Sequence, residues 1–356
     1  MTAITNVIST MKCNHIKSVL AIALTRFIAD VQGDVISAPF EDKFTHGVAS
    51  VGVGSPPTLY NLIIDTGTSN TWVGAGTAYV QTSTSQQTSD SVSVFYGSAS
   101  FSGTEFTDQV TLASGLVVSS QSIGVASSFT GFDGVDGVLG LGPVDLTIGT
   151  LSPDSSTRIP TVTDNLFQDG IITSNVVSIA GQWITFGGVD PSTYTGDVTY
   201  VPISSTSPAS SYWGIDAGFT YGTSGTTILS TTAGIVDHST SLVQLASDSY
   251  STFLKLTGAT TDEATGLPAL DSCAELQSIF LTISATTFEI TVEQYRWPAD
   301  QNTIIGGDAN KCYLAVADSG SNEGSGLDFV LGYNTLKHFA VVLDTDNQRV
   351  GIANGV

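Results

Sequence analysis

The chain has 356 residues, more than the roughly 250–300 at which one hydrophobic core stops growing, so two lobes are expected. Only 12% of residues are charged, and 32 Asp and Glu against 10 Lys and Arg give a formal net charge of −22. Such an acidic body repels nucleic acid and anionic membrane at neutral pH, and it suits a workplace near roughly pH 3–4, where carboxylates are largely neutralised.

Along the chain, the first feature is a basic patch, Lys12, His15 and Lys17, followed by the apolar run Ser18–Leu24. The pattern resembles a signal peptide whose apolar region is cut short by Arg26. Residues 1–45 are therefore read as an N-terminal segment, a degenerate signal or propeptide, and the expected location is secreted or vacuolar. No stretch reaches the roughly 18 apolar residues that cross a bilayer, so no stable membrane span is expected.

From His46 onward, short apolar or alternating runs are separated by Gly, Ser, Asn and Asp. Val48–Val53, Tyr60–Ile64, Gln109–Leu112, Ser178–Ala180, Gln182–Phe186 and Val341–Leu343 are predicted strands. Helices are predicted only over Thr161–Asp169 and Ser247–Leu256. The fold class is mainly β. The polar stretch Ile203–Ser211 reads as a connector, dividing a lobe at 46–205 from one at 206–356.

An internal repeat carries the functional reading. Leu62-Ile-Ile-Asp-Thr-Gly-Thr-Ser69 returns in altered form as Gly234-Ile-Val-Asp-His-Ser-Thr-Ser241. Each copy is followed by an apolar, apolar, Gly element, Gly137-Val-Leu-Gly140 and then Phe329-Val-Leu-Gly332. In each copy a buried strand ends in a carboxylate, Asp65 or Asp237, wrapped by a turn of small and hydroxyl residues. Gly67 lets backbone N–H groups approach, and the hydroxyls donate to the oxygens. Two such loops face to face place two carboxyls where both cannot easily ionise, so the pair holds one proton. A carboxylate beside a carboxylic acid is a base and an acid in one site: one activates water, the other protonates a peptide carbonyl. Neither a metal nor another cofactor is expected, because Cys13, Cys273 and Cys312 form no Cys-x-x-Cys or His and Cys cluster at ligand spacing.

Over about residues 46–356 the sequence resembles the pepsin-like aspartic proteases, and among them the fungal polyporopepsin-type secreted enzymes. The resemblance rests on Val51-Gly-Val-Gly-Ser-Pro56, Asp65-Thr-Gly-Thr-Ser-Asn-Thr-Trp72, Val94-Phe-Tyr-Gly-Ser98, Gly131–Gly142, Tyr212-Trp-Gly-Ile215, Ala233-Gly-Ile-Val-Asp237 and Arg349-Val-Gly-Ile352. It implies a bilobal fold of two six-stranded-type β-barrel lobes flanking a substrate cleft, with Asp65 and Asp237 as the catalytic pair. It further implies that Thr66, Gly67, Thr68 and Thr240 support the dyad. Tyr96, Gly97 and Ser98 become the tip of a β-hairpin flap over bound peptide, with Trp72 as a partner for the Tyr96 hydroxyl. Cys273 and Cys312 match the family's second-lobe disulfide. The implied activity is that of an aspartic-type endopeptidase, a monomer acting on protein or peptide substrates at acid pH.

The second motif departs from the family pattern, reading Asp237-His238-Ser239 where Asp-Thr-Gly or Asp-Ser-Gly is usual. His238 lacks the short hydroxyl that would reach the opposite loop, and at acid pH an imidazole tends to charge. Ser239 adds a side chain where Gly allows a close N–H. Both changes predict reduced or lost activity, and the alternative reading is a peptide-binding protein that retains the cleft.

Overall fold

The computed structural model describes residues 35–97 and 99–356; the signal-like region, Cys13 and Ser98 lie outside the described residues. The chain is mainly β. Strands form one sheet of 14, one of 7 and one of 3. Both predicted helices form, over Val162–Gln168 and Ser247–Thr257. Thr161 caps the first in a capping box with Asp164, satisfying N–H groups that a helix start leaves open.

The folded body begins earlier than His46. Ile36–Asp42 is a strand, paired antiparallel with Trp183–Phe186 and then with Gly47–Val53. Ala38 and Phe40 point inward and Pro39 outward, an alternation too short to be read ahead of its partners. Residues 36–45 are thus part of the body.

Two lobes are recognisable from the sheets. The first contains the long hairpin Gln86–Tyr96 and Ala99–Ala113, with Leu116–Thr130 beside it. In the second, Gly214–Tyr221 and Thr226–Asp237 lie side by side in the middle of the seven-stranded sheet. The chain's last strands, Phe339–Asp344 and Arg349–Gly355, return to pair with Val176–Ala180 and Tyr194–Pro202, so strands from both halves share one sheet. Cys273 and Cys312 form a disulfide in the second lobe, Cα atoms 5.6 Å apart.

The repeat has a structural counterpart. Leu62–Asp65 pairs in parallel with Gly137–Gly140, Asp65 opposite Gly140. Ile235–Asp237 pairs in parallel with Val330–Gly332, Asp237 opposite Gly332. In each half the carboxylate-bearing strand is packed against an apolar strand whose terminal Gly lies under the loop after the Asp. A Cβ on Gly140 would fall 2.4 Å from the Ser69 carbonyl carbon, and one on Gly332 only 2.1 Å from the Leu242 oxygen. Only glycine permits that approach.

Candidate active site

Asp65 ends the strand Thr58–Asp65 and Asp237 ends Thr226–Asp237; they are 1% and 7% exposed. Burying a carboxylate is costly unless donors surround it, and each loop supplies three. At Asp65, the N–H groups of Gly67 and Thr68 donate to Oδ1 at 2.8 and 3.0 Å, and the Thr68 hydroxyl donates to Oδ2 at 2.5 Å. At Asp237, the Ser239 N–H and hydroxyl both donate to Oδ1 at 2.9 Å, and the Thr240 hydroxyl donates to Oδ2 at 2.6 Å.

The two loops interlock. The Thr66 hydroxyl accepts from the His238 N–H at 3.0 Å and donates to the Val236 carbonyl at 3.2 Å. Gly67 lies against the opposite carboxyl: a Cβ there would meet Asp237 Cγ at 3.0 Å. Since the Gly67 N–H also holds Asp65, the carboxyls approach each other across one glycine. Burial first and the Asp237 charge second push the Asp65 pKa up to about 6.

The interlock is one-sided. Among the described residues, the His238 ring reaches only the Thr66 hydroxyl, with Nδ1 at 3.4 Å, and its Nε2 has no hydrogen-bond partner. His238 is 1% exposed, and burial pushes the imidazole down to about 3. The ring is therefore neutral over most of the acid range, contrary to the expectation of a cation beside the carboxyls. Its reference value near 6.5 applies in water, and burial here penalises the charged form. Ser239, for its part, keeps a close N–H on Asp237.

Above the carboxyls stands the hairpin tip. Gly97 takes a positive φ of 73°, which the turn requires, and the Trp72 Nε1–H donates to the Tyr96 hydroxyl at 2.9 Å. Burial, then the nearby Asp65 charge, push the Tyr96 phenol well above its ordinary range, so it stays protonated. Phe132 packs edge-on against both Trp72 and Tyr96, ring centroids 4.8 and 5.2 Å away. Sequence reasoning did not single out Phe132 as a site residue, although it lies in the Gly131–Gly142 run; its aromatic character was the available signal.

A cavity of about 800 Å³ runs between the carboxyls and the hairpin. Asp65, Gly67, Thr68, Tyr96, Gly97, Asp237 and Thr240 border it, whereas Thr66 and Trp72 sit behind the wall. Its apolar lining includes Ile63, Phe132, Val138 and Leu242, together with Phe95, which is 75% exposed. A second hollow of about 550 Å³ continues it past His46, Asp133 and Val135, which line both. The length of the cleft suits an extended chain better than a compact molecule.

A bilobal β fold with two such loops defines an aspartic proteinase of the pepsin type. The model described as eukaryotic aspartyl protease matches residues 47–355, and the chain belongs to that family. It is 54% identical over 329 residues to polyporopepsin of Irpex lacteus, covering 89% of this chain and 96% of that relative. Pepsin A of Suncus murinus is 27% identical over 330 residues, covering 85% and 79%. The crystal structure of an aspartic proteinase from Irpex lacteus matches with a TM-score of 0.88 and 53% identity, covering 90% of this chain and 98% of that one. Among the described residues no helix is long and apolar enough to cross a membrane, and no group of three or more His, Cys, Asp or Glu could hold a metal ion.

Proposed function

We propose that this protein is an endopeptidase in which Asp65 and Asp237, carried by lobes 46–205 and 206–356, share one proton and activate water against a peptide bond. The observation that carries the reading is the close approach of Gly67, itself bonded to Asp65, to the Asp237 carboxyl. The ionised carboxyl takes a proton from water as its oxygen attacks the peptide carbonyl carbon, and the protonated carboxyl gives its proton to the carbonyl oxygen. As the tetrahedral species collapses, the C–N bond breaks, the leaving nitrogen takes the proton first drawn from water, and one of the two hydroxyls on carbon returns its proton to the other carboxyl, which restores the pair. Thr66, Gly67, Thr68 and Thr240 hold the pair in register.

The substrate is an extended peptide with bulky apolar residues beside the scissile bond, because Ile63, Phe132, Val138 and Leu242 line the cleft next to the carboxyls. The protein acts as a monomer in a secreted or vacuolar setting, where acid keeps one carboxyl protonated. Cleavage of an unfolded protein at roughly pH 3–5, blocked by pepstatin, is the expected result. Absence of cleavage across that range would remove the proposal.

Tyr96, Gly97 and Trp72 form the flap that closes over the peptide. Tyr96→Phe removes the bond from Trp72, worth about 1 kcal/mol, and is expected to lower kcat/KM about fivefold in steady-state assays. An unchanged kcat/KM would take the hydroxyl out of the flap's closing.

His238 favours a second reading, a cleft that binds peptides with slow turnover, since its ring does not return the bond that Thr66 makes. His238→Thr separates the two: a large gain in turnover supports the slow cleft, and equal rates support the endopeptidase.

A further inference from the structure

The two carboxyls are held by different kinds of donor. Two backbone N–H groups, of Gly67 and Thr68, bind Oδ1 of Asp65. On Oδ1 of Asp237 there is one N–H, from Ser239, and beside it the Ser239 hydroxyl at 2.9 Å. The corresponding Thr240 N–H makes no bond to Asp237 among the described residues. The side chain that departs from the duplicated pattern thus fills the place of a missing backbone donor.

We propose that Ser239 is a positioning residue of the carboxylate pair, its hydroxyl replacing the second N–H and holding Asp237 in the orientation that the shared proton needs. The inference rests on the proposed dyad. It runs against the expectation that a side chain at this position only obstructs.

Two observations support a role beyond filling space. Ser239 borders the cleft with both carboxyls, so its oxygen is at the reacting surface. Its counterpart Gly67 lies within contact of Asp237, so by the duplication the Ser239 side chain faces the Asp65 side. A hydroxyl differs from an N–H in one respect: it can turn to accept. When Asp237 carries the proton, Ser239 is able to accept from it, and no bond to carbon is made or broken.

The test uses the whole chain with Ser239→Ala, Ser239→Thr and, as the control for the dyad, Asp65→Asn. Ser239→Ala is expected to lower kcat about tenfold to a hundredfold with KM nearly unchanged. It also moves the high-pH limb of kcat to higher pH, because the ionised carboxyl has lost a donor. Ser239→Thr, which keeps a hydroxyl, recovers most of the loss. A merely structural residue would leave the limb in place, so wild-type kcat and limb in Ser239→Ala overturn the inference. If wild-type turnover is too slow to read, pepstatin affinity by calorimetry decides: about tenfold weaker binding in Ser239→Ala supports the role, and equal binding overturns it. Wild-type rates in Asp65→Asn would instead sink the dyad reading, and this inference with it.

Discussion

Asp65→Asn and Asp237→Asn should each lower kcat by about a thousandfold or more, with KM changed by less than about threefold. An amide neither takes a proton from water nor gives one to a carbonyl, so each substitution removes half of one device. The double variant should be no worse than either single one, because the pair acts as a unit. Losses that multiply would mean that the carboxyls work separately. Folding gives an independent readout. The Gly67 and Thr68 N–H groups still find the amide oxygen, and the Thr68 hydroxyl turns to accept from the amide nitrogen. The Asp65 pKa is raised in the folded protein, so its contribution is fully present below the unfolded value near 3.8 and is lost as pH rises through about 6. Asp65→Asn therefore melts at a higher temperature than wild type at pH 7, with the gap closing near pH 4. A gap that persists in acid would count against the ionisation of buried Asp65 as its cause.

The fold was most legible where chemistry forces a residue type. Gly140 and Gly332 recur because the loops after Asp65 and Asp237 pass within 3 Å of where a side chain would sit, and that requirement survives when neighbouring letters drift. The helix at Val162–Gln168 was legible because Thr161 and Asp164 satisfy each other's backbone N–H groups locally. The strand Ile36–Asp42 was not, since its inward face is defined by partners at Trp183–Phe186, nearly 150 positions later. The state of His238 was hidden for the same reason: the neutral ring follows from burial between two distant loops, which the string Asp-His-Ser does not encode. Its reading as an acid-range cation used a solution pKa in a place with no solvent.

Glu105 was missed altogether, and it carries the second large prediction. It lies in the long strand Ala99–Ala113, opposite Gly124, and nothing in the run Gly103-Thr-Glu-Phe-Thr107 marks it as inward. Only 2% of Glu105 is exposed; Oε1 accepts from the Ser122 hydroxyl, and Oε2 has no partner among the described residues. Burial pushes its pKa from 4.5 to about 7, partly opposed by the Ser122 hydroxyl and reinforced by the Asp90 charge. The folded state therefore binds this proton more tightly than the unfolded state. Stability is intact below about pH 4.5, falls as pH rises, and is reduced by about 3 kcal/mol once pH passes 7. Against a typical total of about 5–15 kcal/mol, that is enough to limit the protein at neutral pH while costing nothing in acid. Glu105→Gln cannot ionise. Its amide nitrogen inherits the place without a partner, so the variant starts slightly less stable at pH 4 and overtakes wild type by pH 8 in urea melts. Two curves of stability against pH that stay parallel would assign the alkaline loss to other carboxyls. A crossing would tie the acid setting inferred from a charge of −22 to one buried side chain in the first lobe.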